Sequence, residues 1–248
     1  MKHSLIIFDL DDTLAESKSE LQPPMRDALT RLLKRKKVAI ISWGKYEQFQ
    51  KQVISQLAED VHLHNLYLFP TCGASYYQYR DNEWQNIYEE RLPREWVEKI
   101  FTALRQAQKD AGVITETPYY GEQIEDRSTQ VSWSALGQQC PSDIKSKWDP
   151  DQKKRLSMLP FLKESLPEYE VRIGGATTID VTRKGVDKKY GIYQMEKYLH
   201  IPLEGMLFIG DAIFPGWNDY AAVEVGIDYH KTTGPDMTLE LIEDILAE

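Results

Sequence analysis

Apolar residues along this chain keep two rhythms. The first is the short unbroken run: Leu5, Ile6, Ile7 and Phe8; Val38, Ala39, Ile40 and Ile41; Leu66, Tyr67, Leu68 and Phe69; Met206, Leu207, Phe208 and Ile209. Four apolar residues in a row, bounded by polar residues or by Gly and Pro, predict strands buried on both faces, as in a parallel sheet. The second rhythm is helical. Met25, Ala28, Leu29, Leu32 and Leu33 recur between the first two strands, and Tyr46, Phe49, Val53 and Leu57 follow the second. Residues 189–199 predict a helix before the fourth run. Leu239, Leu241, Ile242, Ile245 and Leu246 predict another at the end. Strand, helix, strand is the unit that builds a parallel sheet, so the expected class is α/β with a Rossmann-like core.

The middle of the chain reads differently. Tyr76, Tyr77 and Tyr79 lead into a polar turn at residues 80–83, then Trp84, as in a hairpin. Trp96, Val97, Ile100, Phe101 and Leu104 form a helical stripe, read as core because such residues are usually buried. Val131, Trp133 and Ala135 alternate as on a half-buried antiparallel strand. Residues 152–166 predict a helix that Pro160 kinks or shortens. Val171 with Ile173, then Ile179 with Val181, predict two further strands around Gly174 and Gly175. A segment at 223–227 precedes the last helix. The expectation is a core of residues 1–80 and 185–248, interrupted by an α+β insert at 81–184.

Three of the buried runs end in chemistry. The first runs into Asp9, Asp11, Asp12 and Thr13, the second into Ser42, and the fourth into Asp211. Polar groups just past parallel strands lie at the carboxyl edge, where open α/β sheets bind ligands. Acids packed there repel one another. A divalent cation relieves this, and a set of hard oxygen donors suits Mg2+, which completes its shell with phosphate and water. Each feature taken singly has a plainer explanation. The acids read equally as a turn after a core strand, Ser42 as a cap for the next helix, and the basic run 34–37 as a solvated helix end.

Composition narrows the classes. The 248 residues are 42% hydrophobic and 28% charged, a globular balance. A net charge of −9 argues against nonspecific nucleic-acid binding, which needs Lys and Arg on phosphates. No apolar run is long enough to span a membrane. Cys72 and Cys140 stand far apart, which excludes a thiolate metal site and favours the cytoplasm.

Taken together, Asp9/Asp11/Thr13, Ser42, a lysine within residues 184–188, and Asp211 with Asn218 and Asp219 resemble the motifs of the haloacid dehalogenase (HAD) superfamily. The insert resembles a C2-type α+β cap. The stretch from Gly210 and Asp211 through Pro215, Gly216 and Trp217 to Asn218 and Asp219 is similar to a segment of eukaryotic-type phosphomannomutases. So are Arg127, Gly137, Gly174, Gly175, Thr178, Asp180 and residues 185–188. The resemblance implies Asp9 as nucleophile, Asp11 as general acid and base, and Ser42 and Lys188 as partners of the transferring phosphoryl group, with Lys184 a rival for the last. It implies Mg2+ on Asp9, the Asp11 carbonyl and Asp211, supported through water by Asn218 and Asp219. It also implies a phosphorylated sugar as substrate, bound by Lys18, Arg127, Gln138, Lys145, Thr178 and Asp180, and a homodimer formed through the cap. Gln138, Lys145 and Lys18 stand where that family has arginines, which weakens forked recognition of a second phosphate. A phosphatase is therefore the first expectation and a phosphomannomutase the second. A noncatalytic sugar-phosphate-binding protein is the third.

Overall fold

A computed structural model describes residues 2–57, 61–113, 119–215 and 217–247, without the Ser142 side chain. The described residues form two compact units, 1–89 with 186–248, and 90–185.

The first unit is built on a seven-stranded sheet. Its strands are β1 (Leu5–Phe8), β2 (Lys37–Ile41), β3 (Leu66–Phe69), β4 (Ser75–Arg80), β5 (Glu83–Glu89), β10 (Met206–Gly210) and β11 (Asp228–Lys231). They are ordered β11-β10-β1-β2-β3-β4-β5, parallel up to β3 and antiparallel through β4 and β5. The apolar runs are unbroken because both faces are covered. Ile6, Phe8, Val38, Ile40, Leu207 and Ile209 pack on α1 (Pro23–Leu33), α2 (Tyr46–Gln52) and α8 (Pro235–Ala247). Leu5, Ile7, Ala39, Ile41, Met206 and Phe208 face α6 (Lys188–Leu199) and α7 (Tyr220–Val223).

The β4–β5 hairpin turns through Asp81 and Asn82, both at positive φ as a tight hairpin requires. It pairs with β3, so this sheet runs on past residue 80 and the second unit begins at Glu90 rather than at 81. The last strand also lies further on than the 223–227 segment suggested. All four residues of β11 are exposed at the sheet's edge, so no burial pattern marks them.

The second unit is an antiparallel sheet ordered β6-β7-β9-β8, from β6 (Ile124–Asp126), β7 (Gln130–Ser134), β8 (Tyr169–Gly174) and β9 (Thr178–Arg183). Val131, Trp133, Val171, Ile179 and Val181 pack on α3 (Arg94–Asp110) and α5 (Lys153–Ser165), with a short α4 (Ser142–Trp148) alongside. Pro160 is accommodated inside α5. The alternation in β7 predicted a half-buried strand, yet all five of its residues are buried. Some of its polar groups are paired: Gln130 Nε2 donates to Asp180 at 2.9 Å, and Ser134 Oγ to the Gly137 carbonyl at 3.0 Å, whereas Gln130 Oε1 and Ser132 Oγ have no partner.

Arg155 is also buried here, although the sequence places it in a basic run. Its Nε donates to Asp149 Oδ2 at 2.8 Å, and its Nη2 donates to the Asp149 carbonyl. Its Nη1 donates to the carbonyls of Gly174 and Gly175, which fixes the β8–β9 turn on α5.

Candidate active site

The site grows from the carboxyl end of β1. The Asp9 N–H donates to the Ile209 carbonyl at 2.9 Å, which carries the β1–β10 pairing one residue beyond the strand. The chain then turns sharply: the Leu10 carbonyl accepts from the N–H groups of Thr13, Leu14 and Ala15. This turn separates the two aspartates that simple alternation would have put on opposite faces. Asp9 stays buried, whereas Asp11 is partly exposed. Thr13 is fully buried, and its Oγ1 donates to Asp211 Oδ1 at 3.4 Å, joining the turn after β1 to the turn after β10.

Lys188 reaches this point from the first turn of α6, whose N-cap, Asp187, accepts from the Tyr190 N–H at 2.9 Å. The Lys188 ammonium is fully buried and donates to both Asp9 and Asp219. Lys184 is exposed, with its ammonium at the Pro167 carbonyl. Asp219 is fully buried as well, and its second oxygen accepts from the Ala212 N–H at 3.0 Å. A side chain at Gly210 would overlap that carboxylate. Asp219 therefore packs within the cluster, directly on Lys188. Asn218 Oδ1 accepts from the Asp219 N–H, and Gly216 lies outside the described residues.

Asp9, Asp211 and Asp219 each place an oxygen within 4.8 Å of the others. Burial pushes Asp9 up to about 8; Lys188 opposes this, and Asp219 and Asp11 add to it. Burial, with Asp219 beside it, also raises Asp211. Burial acts to lower Lys188, but Asp219 and Asp9 more than offset it, so the ammonium titrates above its ordinary range. Three carboxylates against one ammonium leave two negative charges when all are ionised. The donors are all hard oxygens, and the residues fit a divalent cation of the Mg2+ kind.

Ser42, at the end of β2, is buried. Its Oγ accepts from the Gly44 N–H at 3.1 Å, so its own O–H remains to be donated. It does not cap α2, whose N-cap is Lys45. The Asp11 carboxylate accepts from Gln48 and Gln52 of α2, two residues that no sequence motif marks. Lys18 is exposed, and its backbone N–H also donates to Asp11.

The remaining expected residues lie in the second unit. Arg127 Nε pairs with Glu125 at 2.8 Å, and its Nη2 donates to Gln138 Oε1 at 3.0 Å. Lys145 Nζ donates to the Gln138 carbonyl at 3.1 Å. Thr178 Oγ1 donates to the Gly174 carbonyl, and Asp180 accepts from Gln130. Arg127, Gln138 and Lys145 therefore form one connected group, with Glu125 as an acidic partner that the motif does not reveal.

No helix among the described residues is long and apolar enough to cross a membrane. The chain is 26% identical over 251 residues to a phosphomannomutase of Schizosaccharomyces pombe, covering 98% of this chain and 94% of that protein. It is 27% identical to the phosphomannomutase of Spinacia oleracea over 97% of this chain and 95% of that one. Its fold resembles an IMP-bound IMP-nucleotidase of Plasmodium falciparum, with a TM-score of 0.69 at 15% identity over 99% of this chain and 68% of that one. Residues 6–222 match the model of the haloacid dehalogenase-like hydrolases. The chain belongs to the haloacid dehalogenase-like hydrolase family and is an enzyme of phosphoryl transfer, of the phosphatase or mutase kind.

Proposed function

We propose that this protein is a Mg2+-dependent sugar phosphatase that works through an aspartyl-phosphate on Asp9. The observation that carries the reading is the grouping of buried Asp9, Lys188 and Asp219 with half-buried Asp211 at the carboxyl edge of two neighbouring parallel strands. An Asp9 oxygen attacks phosphorus, and the bond from phosphorus to the sugar oxygen breaks as Asp11 supplies that oxygen with a proton. Water then attacks the aspartyl-phosphate, Asp11 takes a proton from it, and Asp9 leaves as a carboxylate. Lys188 and the Ser42 hydroxyl balance charge on the phosphoryl oxygens. Asp9, Asp211 and the Asp11 carbonyl would hold Mg2+, with Asp219 and Asn218 beside them. The ion supplies charge neutralisation for the transferring group.

Support for hydrolysis over mutation comes from the second unit. A mutase must hold a second phosphate while the sugar reorients. Here Arg127 is already engaged by Glu125 and Gln138, and by the resemblance to phosphomannomutases Gln138 and Lys145 stand where those proteins carry arginines. Interconversion of hexose 1- and 6-phosphates is the second reading, favoured by relatives named phosphomannomutase that match along nearly the whole chain. Cytoplasmic location and pairing of two copies through the second unit go with either.

The test is a panel of sugar phosphates with Mg2+, following free phosphate and both hexose phosphate isomers, with and without a hexose bisphosphate. Net phosphate release with little isomerisation is expected. Isomerisation that exceeds release and is stimulated by the bisphosphate would make the mutase reading the better one. Tight binding of sugar phosphates without turnover would return the binding-protein alternative.

A further inference from the structure

Asp11 is held by three N–H donors. The Lys18 backbone N–H donates to Oδ1 at 2.6 Å, Gln52 Nε2 to the same oxygen at 3.3 Å, and Gln48 Nε2 to Oδ2 at 2.8 Å. Gln48 and Gln52 stand four apart on α2, so they share one helical face. A carboxylate offers about four acceptor positions. Oδ1 has two donors and Oδ2 has one, which leaves an acceptor position on Oδ2.

Two features show that this arrangement is specified. Gln52 is 1% exposed, and its Oε1 has no partner. Its Nε2 donates both to Asp11 and to the Ser19 carbonyl, the latter at 2.6 Å. Turning the amide over would lose both bonds and set its oxygen against the anionic carboxylate, so the orphaned acceptor accompanies a donor aimed at Asp11. The second feature is Gly44, where an added Cβ would overlap the Gln48 amide. The absence of a side chain there leaves the space through which Gln48 reaches Asp11.

We propose that Gln48 and Gln52 are positioning residues that hold Asp11 with Oδ2 open as the proton acceptor for breakdown of the aspartyl-phosphate. This rests on the phosphoryl-transfer reading above. In that step the water oxygen bonds to phosphorus and its proton passes to Asp11 Oδ2. The bond from phosphorus to Asp9 breaks, and its electron pair returns to the Asp9 carboxylate. Asp11 then carries the proton that it returns to the leaving oxygen of the next substrate.

The experiment uses p-nitrophenyl phosphate, whose good leaving group needs no proton, so that acid catalysis of the first step is removed from the comparison. Gln48→Ala and Gly44→Ala are examined for kcat, for acid-trapped phosphoenzyme in the steady state, and for the unfolding midpoint. Gln52 is left unchanged because it also holds Ser19. Both variants should lose about tenfold in kcat, a part of the roughly 10²–10⁴-fold that a positioned acid or base contributes. Both should accumulate phosphoenzyme at an unchanged midpoint. Gln48→Glu, which replaces the donor with a like charge, should fall further than Gln48→Ala. Unchanged kcat, or a lower kcat without accumulated phosphoenzyme, would overturn the inference. A wild-type protein that releases no phosphate from any substrate would mark failure of the underlying reading instead.

Discussion

Lys188 with Asp9 and Asp219, and Arg155 with Asp149, are both buried ion pairs, and they differ in what is left over. In the second unit one guanidinium meets one carboxylate. Three further N–H groups go to the carbonyls of Asp149, Gly174 and Gly175, and Asp149 Oδ1 accepts from the Lys154 N–H. One cation meets one anion, so the charge balances within the pair. In the first unit one ammonium meets two carboxylates, and a third lies within reach. That group is complete only with further positive charge. Burial of charge is therefore a poor guide to function by itself, and the imbalance of a buried group is a better one.

The comparison can be broken most directly at Asp9. Asp9→Asn should abolish turnover and leave the fold intact. Activity within about tenfold of wild type, ~1.4 kcal/mol in the barrier, would reject Asp9 as nucleophile. Chelation should likewise stop phosphate release in wild-type protein. Mg2+ should restore it, and Ca2+ should do so poorly because it tolerates looser, larger coordination shells; full rates in excess EDTA would remove the metal from the reading.

Stability measurements sharpen the contrast. Arg155→Met leaves Asp149 buried without its cation and should cost about 3–5 kcal/mol in urea unfolding. Lys188→Met should cost a similar amount in metal-free protein. Added Mg2+ should recover part of that loss in Lys188→Met and none of it in Arg155→Met, because only the first leaves a cluster that can bind the ion. Equal responses to Mg2+ would dissolve the distinction between the two groups.

The smallest expected effect is at Arg127. Its replacement by Ala removes a charge-assisted contact of about 1.5 kcal/mol. This should raise KM for a sugar phosphate about tenfold with kcat nearly unchanged, since a contact made equally in ground and transition states contributes uniform binding. A fall in kcat at constant KM would place Arg127 in the chemical step.

Much of this molecule was legible because burial on both faces writes itself into the sequence. β1, β2, β3 and β10 stand out as apolar runs, and Asp9, Ser42 and Asp211 stand just past the ends of three of them. Illegible parts fail for identifiable reasons. β11 is an exposed edge and needs no apolar residue. Lys184 and Lys188 look alike in a basic segment, and only the depth of the side chain separates them. Arg155 hides among lysines because what buries it, its pairing with Asp149 one turn before α5 and with the carbonyls of Gly174 and Gly175 beyond it, appears only in the fold. Gln48 and Gln52 carry no charge and sit on a short helix, so their shared target appears only once α2 is packed beside the turn at Asp11.

The connection between Asp9 and Lys188 spans 179 residues. β1 pairs on one side with β2, which comes soon after it, and on the other with β10, which begins at Met206. A nascent chain that has emerged as far as Gly185 contains every residue of the second unit, while β1 still has an unpaired edge and Asp9 lacks both its ammonium and its companion acids. Bringing such distant segments together carries the entropic cost of closing a long loop. Order of synthesis thus separates scaffold from cluster: Asp9, the proposed nucleophile, is made before the whole second unit, and Lys188, Asp211 and Asp219 are made after it.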